Sequence, residues 1–332
     1  MMRRDREICS KKTSTGMRFL VVTLLLAFAG ETCSGAAFRL NFLDGESTLA
    51  DTCQLLRQAG ISQDSVSTFS NLVEHHNRVG NRVDTTSFPA ATNGFYEFHD
   101  LADFTNRLRT VLYLTPPNDH SAWHTFSCFD AACLLLYGAG CGAPAFEKHL
   151  DSRSIVVSKA DRETFRSEYG RWALVPQWYY EQLAGKTRSE GETQLILSIR
   201  ANRVLAPEAT NDLAWRAAFG SYIRGLKEGG LVFPKHFKLG LGFYAAPQIG
   251  RFFPDHAFLC ILQQGRLICV EKNGQVGPYV RAEFNSEADL ARYISWSMLE
   301  GLKKDKEQPP MAAVLVSLND RLIGVYPSGD LK

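Results

Sequence analysis

Two residues carry the clearest chemical signal in this sequence: Cys128 in "WHTFSCFDAACLLLYG" (Trp123–Gly138) and His256 in "FPDHAFLCIL". Cys128 stands where an apolar run begins, which predicts a helix from Cys128 to about Tyr137, stopped by "GAGCGAP". A thiol at a helix start meets unpaired N–H groups and the positive end of the helix dipole, and both favour thiolate. The same N–H groups can bind the oxyanion formed when sulfur attacks a carbonyl. Such a nucleophile needs a general base within reach. His256 is the best placed of eight histidines, because it follows Asp255 and opens a strand that can hold an imidazole rigidly.

The strand belongs to "HAFLCILQQGRLICVEK" (His256–Lys272), which reads as a hairpin turning at Gln264-Gly265. That turn sets Gln263 opposite Arg266, Leu262 opposite Leu267, Cys260 opposite Cys269 and Phe258 opposite Glu271. Extended one step, the register sets His256 opposite Asn273 and puts His256, Glu271 and Asn273 on one face. Either Glu271 or Asn273 can then orient the imidazole as the third member of a Cys–His–polar triad. A carboxylate stabilises an imidazolium better than an amide does, which favours Glu271.

Competing readings of the same residue types are weaker. Cys133 and Cys141 fit core positions or a local disulfide, and Cys260 and Cys269 fit core or a cross-strand bridge. A zinc site of His124, Cys128, Cys133 and Cys141 lacks any short paired spacing, so no metal and no cofactor is expected. His75-His76 falls at a helix end and reads as surface. "GLGFYA" (Gly240–Ala245) imitates a dinucleotide fingerprint without a βαβ unit.

The elements that must position these groups change character along the chain. Ser47–Asn77 reads as two helices, with Leu49, Cys53 and Leu56 on one face and Val66, Phe69 and Val73 on the other's; Gly60 separates them. Residues 78–122 are loop-rich, and "KADRETFRSEYG" reads as a short helix. "TQLILSIR" alternates Leu195, Leu197 and Ile199, which predicts a strand. "NDLAWRAAFGSYIRGLKEGG" predicts a helix capped by Asn211 or Asp212, and "HFKLGLGFYAA" a strand. "NSEADLARYISWSMLEGLKK" predicts a helix starting at Ser286 with Leu290, Tyr293, Ile294 and Met298 as its stripe. "AAVLVSLNDRLIGVY" predicts a hairpin turning at Asn319-Asp320. Hairpins without βα alternation predict an α+β fold, helices packed on an antiparallel sheet, with a helical first half (45–190) and a sheet-rich second half (191–328).

Export is expected from the first 37 residues. Arg3, Arg4, Arg6, Lys11, Lys12 and Arg18 precede the 12-residue apolar run "FLVVTLLLAFAG", and small residues follow, so cleavage after Ala36 or Ala37 is expected. Met17 is an alternative start. Cys33 lacks the usual leucine and small residue of a lipid-modified cysteine, so no lipid anchor is expected. Residues 38–332 then form a single domain with 31 Lys/Arg, 32 Asp/Glu and a formal charge of −1. That balance argues against a nucleic-acid partner, and no later apolar run is long enough to span a membrane.

In their order, "DTCQLLRQAGISQDSVSTFSNLVEHHN", "SCFDAACLLLY", "FPDHAFLCIL…GRLICVEK", "GPYVRAEFNSEADLARYI" and "VSLNDRLIGVYPS" resemble the exported bacterial "domain of unknown function 4300" family over nearly the whole of residues 38–332. The marks of the resemblance fall on Cys128, His256, Glu271 and Lys272. Two positions depart from it: Ser127-Cys128-Phe129 replaces Asn-Cys-Arg, and Asp255-His256-Ala257-Phe258 replaces Gly-His-x-Gly. The succession of helix-borne cysteine, strand-borne histidine and a polar residue on the next strand also resembles papain-like hydrolases of the NlpC type. The expectation is a papain-like cysteine hydrolase of amidase or peptidase type. Cys128 is its nucleophile, His256 its base, and Glu271 or Asn273 orients the ring. The substrate expected is a peptide or acyl compound, and location and resemblance point to peptidoglycan peptides. Acyl transfer to an amine uses the same residues. The alternative is a non-catalytic exported binding or structural domain that keeps the fold.

Overall fold

A computed structural model of the chain describes residues 38–79, 85–107, 127–142, 180–181, 185–201, 204–205, 210–273, 277–304 and 311–327, all within one compact unit. The expected signal peptide (residues 1–37) and the helix expected at "KADRETFRSEYG" lie outside the described residues. In chain order the elements are β1 (Phe38–Asn41), α1 (Glu46–Gln58), α2 (Gln63–Val79), β2 (Tyr96–Phe98), α3 (Leu101–Arg107) and α4 (Cys128–Gly138). There follow α5 (Glu190–Ala201), β3 (Val204–Leu205), α6 (Asp212–Glu228), β4 (Lys238–Ala246), β5 (Arg251–Gln263), β6 (Arg266–Lys272), β7 (Tyr279–Phe284), α7 (Glu287–Lys304), β8 (Ala313–Leu318) and β9 (Arg321–Pro327).

Hairpin pairing extends into one antiparallel sheet of order β2-β1-β7-β6-β5-β4-β8-β9, with the short β3 added to β5. The α+β arrangement of helices on an antiparallel sheet is therefore what the chain adopts. Both expected hairpins, β5–β6 and β8–β9, turn where the sequence puts them. Gln264 and Gly265 take positive φ, as the tight turn that joins twisted strands requires, and Leu318 pairs Arg321 across Asn319-Asp320. The register from Gln263↔Arg266 to Phe258↔Glu271 is the one the turn dictates.

Apolar alternation on the central strands divides the core in two. On one face Leu239, Leu241, Phe243, Ala257, Leu259, Ile268 and Val270 meet α1, α2, α4, α5 and α6. On the other face Phe258, Cys260, Cys269, Val280 and Ala282 meet α3 and α7, with the buried stripe Leu290, Tyr293, Ile294 and Met298. A bulge between Gly242 and Phe243, opposite His256 and Pro254, leaves Asp255 unpaired. It reverses the alternation of β5, so even-numbered Phe252 and odd-numbered Ala257 both face the five-helix layer.

Four expectations are corrected. "TQLILSIR" is not a strand but lies in α5: Glu192, Leu195, Ile196 and Ile199 are buried while Leu197 is half-exposed, a helical 3–4–7 spacing that its acidic first turn supports. The loop-rich stretch contains β2 and α3, where Phe98 and Phe104 are buried beside Phe38 and Phe88. His76 is not on the surface: it is 4 % exposed and lies edge-on to Tyr279. The hairpin ladder stops at Phe258↔Glu271, so the expected pairing of His256 with Asn273 does not form.

Candidate active site

Cys128 is the first residue of α4, and a capping box fixes that start. The Ser127 hydroxyl accepts from the Asp130 N–H at 3.2 Å, and the Asp130 carboxylate accepts from the Ser127 N–H at 3.0 Å. Of the N–H groups that open the helix, these two are satisfied, and those of Cys128 and Phe129 have no partner within the helix. The S-x-x-D spacing of "SCFD" is a readable signal for this box.

Below the box lies a buried ion network that no local pattern announces. Arg188 Nη2 donates to Asp130 Oδ1 at 2.7 Å, its guanidinium lies 4.5 Å over the Tyr180 ring, and Glu192 Oε1 is 3.5 Å from its Nε. The Tyr180 hydroxyl donates to Glu192 Oε2 at 3.1 Å. Burial, only partly offset by Arg188, raises the Glu192 carboxyl from 4.5 to about 7. α4 is thus held at its N-terminus by Arg188, 58 residues away in sequence, which Tyr180 and Glu192 flank.

His256 lies on β5 just past the bulge, on the α7 side of the sheet with Phe258, whose ring stacks on the imidazole at 5.9 Å. Its Nε2 is 2.6 Å from Glu271 Oε2, and the Tyr293 hydroxyl on α7 donates to Glu271 Oε1 at 2.7 Å. A side-chain hydrogen bond to Cys128 is among the influences on the same imidazole. Sγ also lies 3.9 Å from the Asp255 carbonyl. Burial, the largest influence, works against the imidazolium. The Cys128 charge, the bonds to Cys128 and Glu271, and the Glu271 charge outweigh it and raise His256 from 6.5 to about 10.

Cys128, His256 and Glu271 are therefore brought together in a row that continues to Tyr293, and Asn273 is not among them. Asn273 lies beyond the end of β6, where its N–H donates to the Pro278 carbonyl at 2.9 Å and its Oδ1 accepts from Ser297 at 3.3 Å. Tyr293 was legible as an apolar stripe residue; its hydroxyl's role was not, because nothing in a helical period shows which stripe residue meets a carboxylate. Cys53, Cys133, Cys141, Cys260 and Cys269 are all buried free thiols. Burial raises the pKa of Cys141 to about 11 and that of Cys260 to about 12, so neither is a ready nucleophile. No helix among the described residues is long and apolar enough to cross a membrane. No protein-family model, no curated protein and no solved structure matches the chain.

Proposed function

We propose that the protein is an exported cysteine hydrolase of papain-like type, acting on an amide or related acyl bond. The observation that supports this reading most is the row Cys128–His256–Glu271 beginning at a capped helix start. His256 takes the proton of Cys128, and Glu271 stabilises the resulting imidazolium. The Cys128 thiolate attacks the acyl carbonyl, and the oxygen that gains charge is met by the N–H groups of Cys128 and Phe129. His256 passes its proton to the leaving amine as the C–N bond breaks, leaving an acyl-thioester. Water, deprotonated by His256, then attacks the thioester and releases the acid, and the proton returns to the Cys128–His256 pair. Peptidoglycan peptides are the substrate class that the expected export suggests. Acyl transfer differs only in the final nucleophile, an amine in place of water.

A second reading has one observation in its favour: Cys128 is 5 % exposed and His256 6 %. A site this closed suits a binding or structural domain that retains an inherited constellation. Labelling the folded protein with an electrophilic thiol probe, then mapping the modified residue, separates the two. Rapid modification confined to Cys128 supports the hydrolase, and a Cys128 that reacts only on unfolding supports the non-catalytic domain.

A further inference from the structure

Cys260 on β5 and Cys269 on β6 stand directly opposite each other, at the fourth rung from the Gln264-Gly265 turn. In a hairpin closed by two residues, the flanking pair, Gln263 and Arg266, exchanges both backbone hydrogen bonds, and the pairs beyond it alternate. Leu262↔Leu267 is then a pair without backbone bonds, Ile261↔Ile268 a bonded one, and Cys260↔Cys269 again a pair without them. At such a pair the Cα atoms of antiparallel strands are about 4.5 Å apart, and the side chains approach most closely. That separation falls within the range of about 4.4–6.8 Å that a disulfide spans.

Both sulfurs also leave the same face of the sheet, into the core that holds Val280, Ala282 and Ile294. Cys53, Cys128, Cys133 and Cys141 belong to the core on the opposite face. Among the described residues, each of the pair therefore has one cysteine on its own side of the sheet, the other member. The structure holds both as free thiols, the reduced form of the pair. Cys260 is 1 % exposed and Cys269 0 %, so an oxidant does not reach either sulfur once this side of the core has closed. Burial, the largest influence on each, raises the pKa of Cys260 to about 12 and raises that of Cys269 as well. Exchange needs a thiolate with access to its partner, so the folded core preserves whichever redox state it enclosed.

We propose that Cys260 and Cys269 are an oxidation site, closed as a cross-strand disulfide when the chain folds in the presence of a disulfide oxidant. The thiolate of one cysteine attacks the oxidant's S–S bond, which forms a mixed disulfide and releases one thiol. The thiolate of the other attacks the protein sulfur of that mixed disulfide, which forms the Sγ–Sγ bond and releases the second thiol. The protein loses two electrons and two protons, and the oxidant becomes two thiols. Export, as expected from the first 37 residues, would deliver the unfolded chain to such oxidants. The bridge joins the two strands that carry His256 and Glu271 and fixes their register against slippage.

The test unfolds and reduces the full chain, then refolds it with and without oxidised glutathione. Remaining thiols are alkylated in denaturant, and the cross-linked peptides are mapped by mass. The expected product of oxidative refolding has the native circular-dichroism spectrum and a Cys260–Cys269 link, lighter by two hydrogen atoms than the reduced pair. In Cys260→Ala, Cys269 is expected to stay free. In the folded chain the bridge should be reduced by dithiothreitol roughly tenfold or more slowly than in urea, because the core shields it. A native-like product in which both cysteines are alkylated overturns the inference, as does a link from either one to another cysteine. A bridge found only in chains that fail to regain the native spectrum overturns it too. Equal rates of reduction in the folded and unfolded chain would place the bridge outside a closed core and overturn it as well.

Discussion

Glu271 lies diagonally across the β5–β6 ladder from His256, and its Oε2 reaches the imidazole Nε2 at 2.6 Å. Its other oxygen is held by Tyr293, so the carboxylate approaches the ring in one orientation. Replacement of Glu271 by Gln keeps the shape and removes the charge. His256 is then expected to lose its proton at a pH lower by about 1–3 units, whereas Asn273→Ala leaves that titration unchanged. NMR titration of the His256 ring protons checks both, and a shift in Asn273→Ala alone would reverse the assignment.

Removal of the sulfur should have a larger effect on the same ring. Among the influences that raise His256 to about 10, the Cys128 charge comes first. In Cys128→Ala the imidazole is expected to be neutral at pH 8, although it is cationic there in the native protein. The same titration measures it, and a ring still protonated at pH 8 would show that Glu271 alone sustains the imidazolium.

Glu192 gives a stability signature with a definite sign. Its folded-state value of about 7 lies above the ordinary 4.5, so its protonated form stabilises the fold below pH 4.5 and that contribution is lost as pH rises through 7. Relative to Glu192→Gln, the native protein should therefore lose on the order of 2 kcal/mol between pH 4.5 and 8. Urea unfolding of both proteins at several pH values checks this. A constant difference would mean that Arg188 keeps the carboxylate charged throughout.

Gly242 is opposite His256 at the bulge, and a Cβ there would lie 2.3 Å from Met298 Sδ and 3.4 Å from His256 Cβ. Gly242→Ala is expected to cost about 1–3 kcal/mol as Met298 is displaced from a packed site. Because the clash is with that one side chain, Gly242→Ala and Met298→Ala should be less than additive in denaturant unfolding. Full additivity would place the strain in the backbone instead.

The parts of this architecture that were legible in the sequence are those set by short-range periodicity. The Gln264-Gly265 turn, the Cys260↔Cys269 register and the helix opening at Cys128 each follow from a few neighbouring residues. Misreadings arose where two periods fit the same letters. Leu195 and Ile199 satisfy alternation and helical spacing alike, and the discriminating positions, Glu192 and Ile196, lie outside the alternating set. The Asn273 assignment failed for a different reason. A ladder register can be extended indefinitely on paper, but β6 ends at Lys272, and the Asn273 N–H donates to the Pro278 carbonyl and not to β5. Arg188 and Tyr180 were not legible at all, because a buried ion pair 58 residues long in sequence leaves no periodic trace.

Cys128 descends from the five-helix layer, whereas His256 and Glu271 lie on the strands and Tyr293 on α7. Each layer alone is chemically mute. A chain emerging unfolded carries a thiol without its base, and a chain without the α4 layer carries a base without its thiol. The pair proposed to react exists only once α4 has docked on the sheet, so under the proposed function nucleophilicity would follow folding. For a protein expected to cross a membrane unfolded, such an arrangement keeps the sulfur quiet during transit and arms it on arrival.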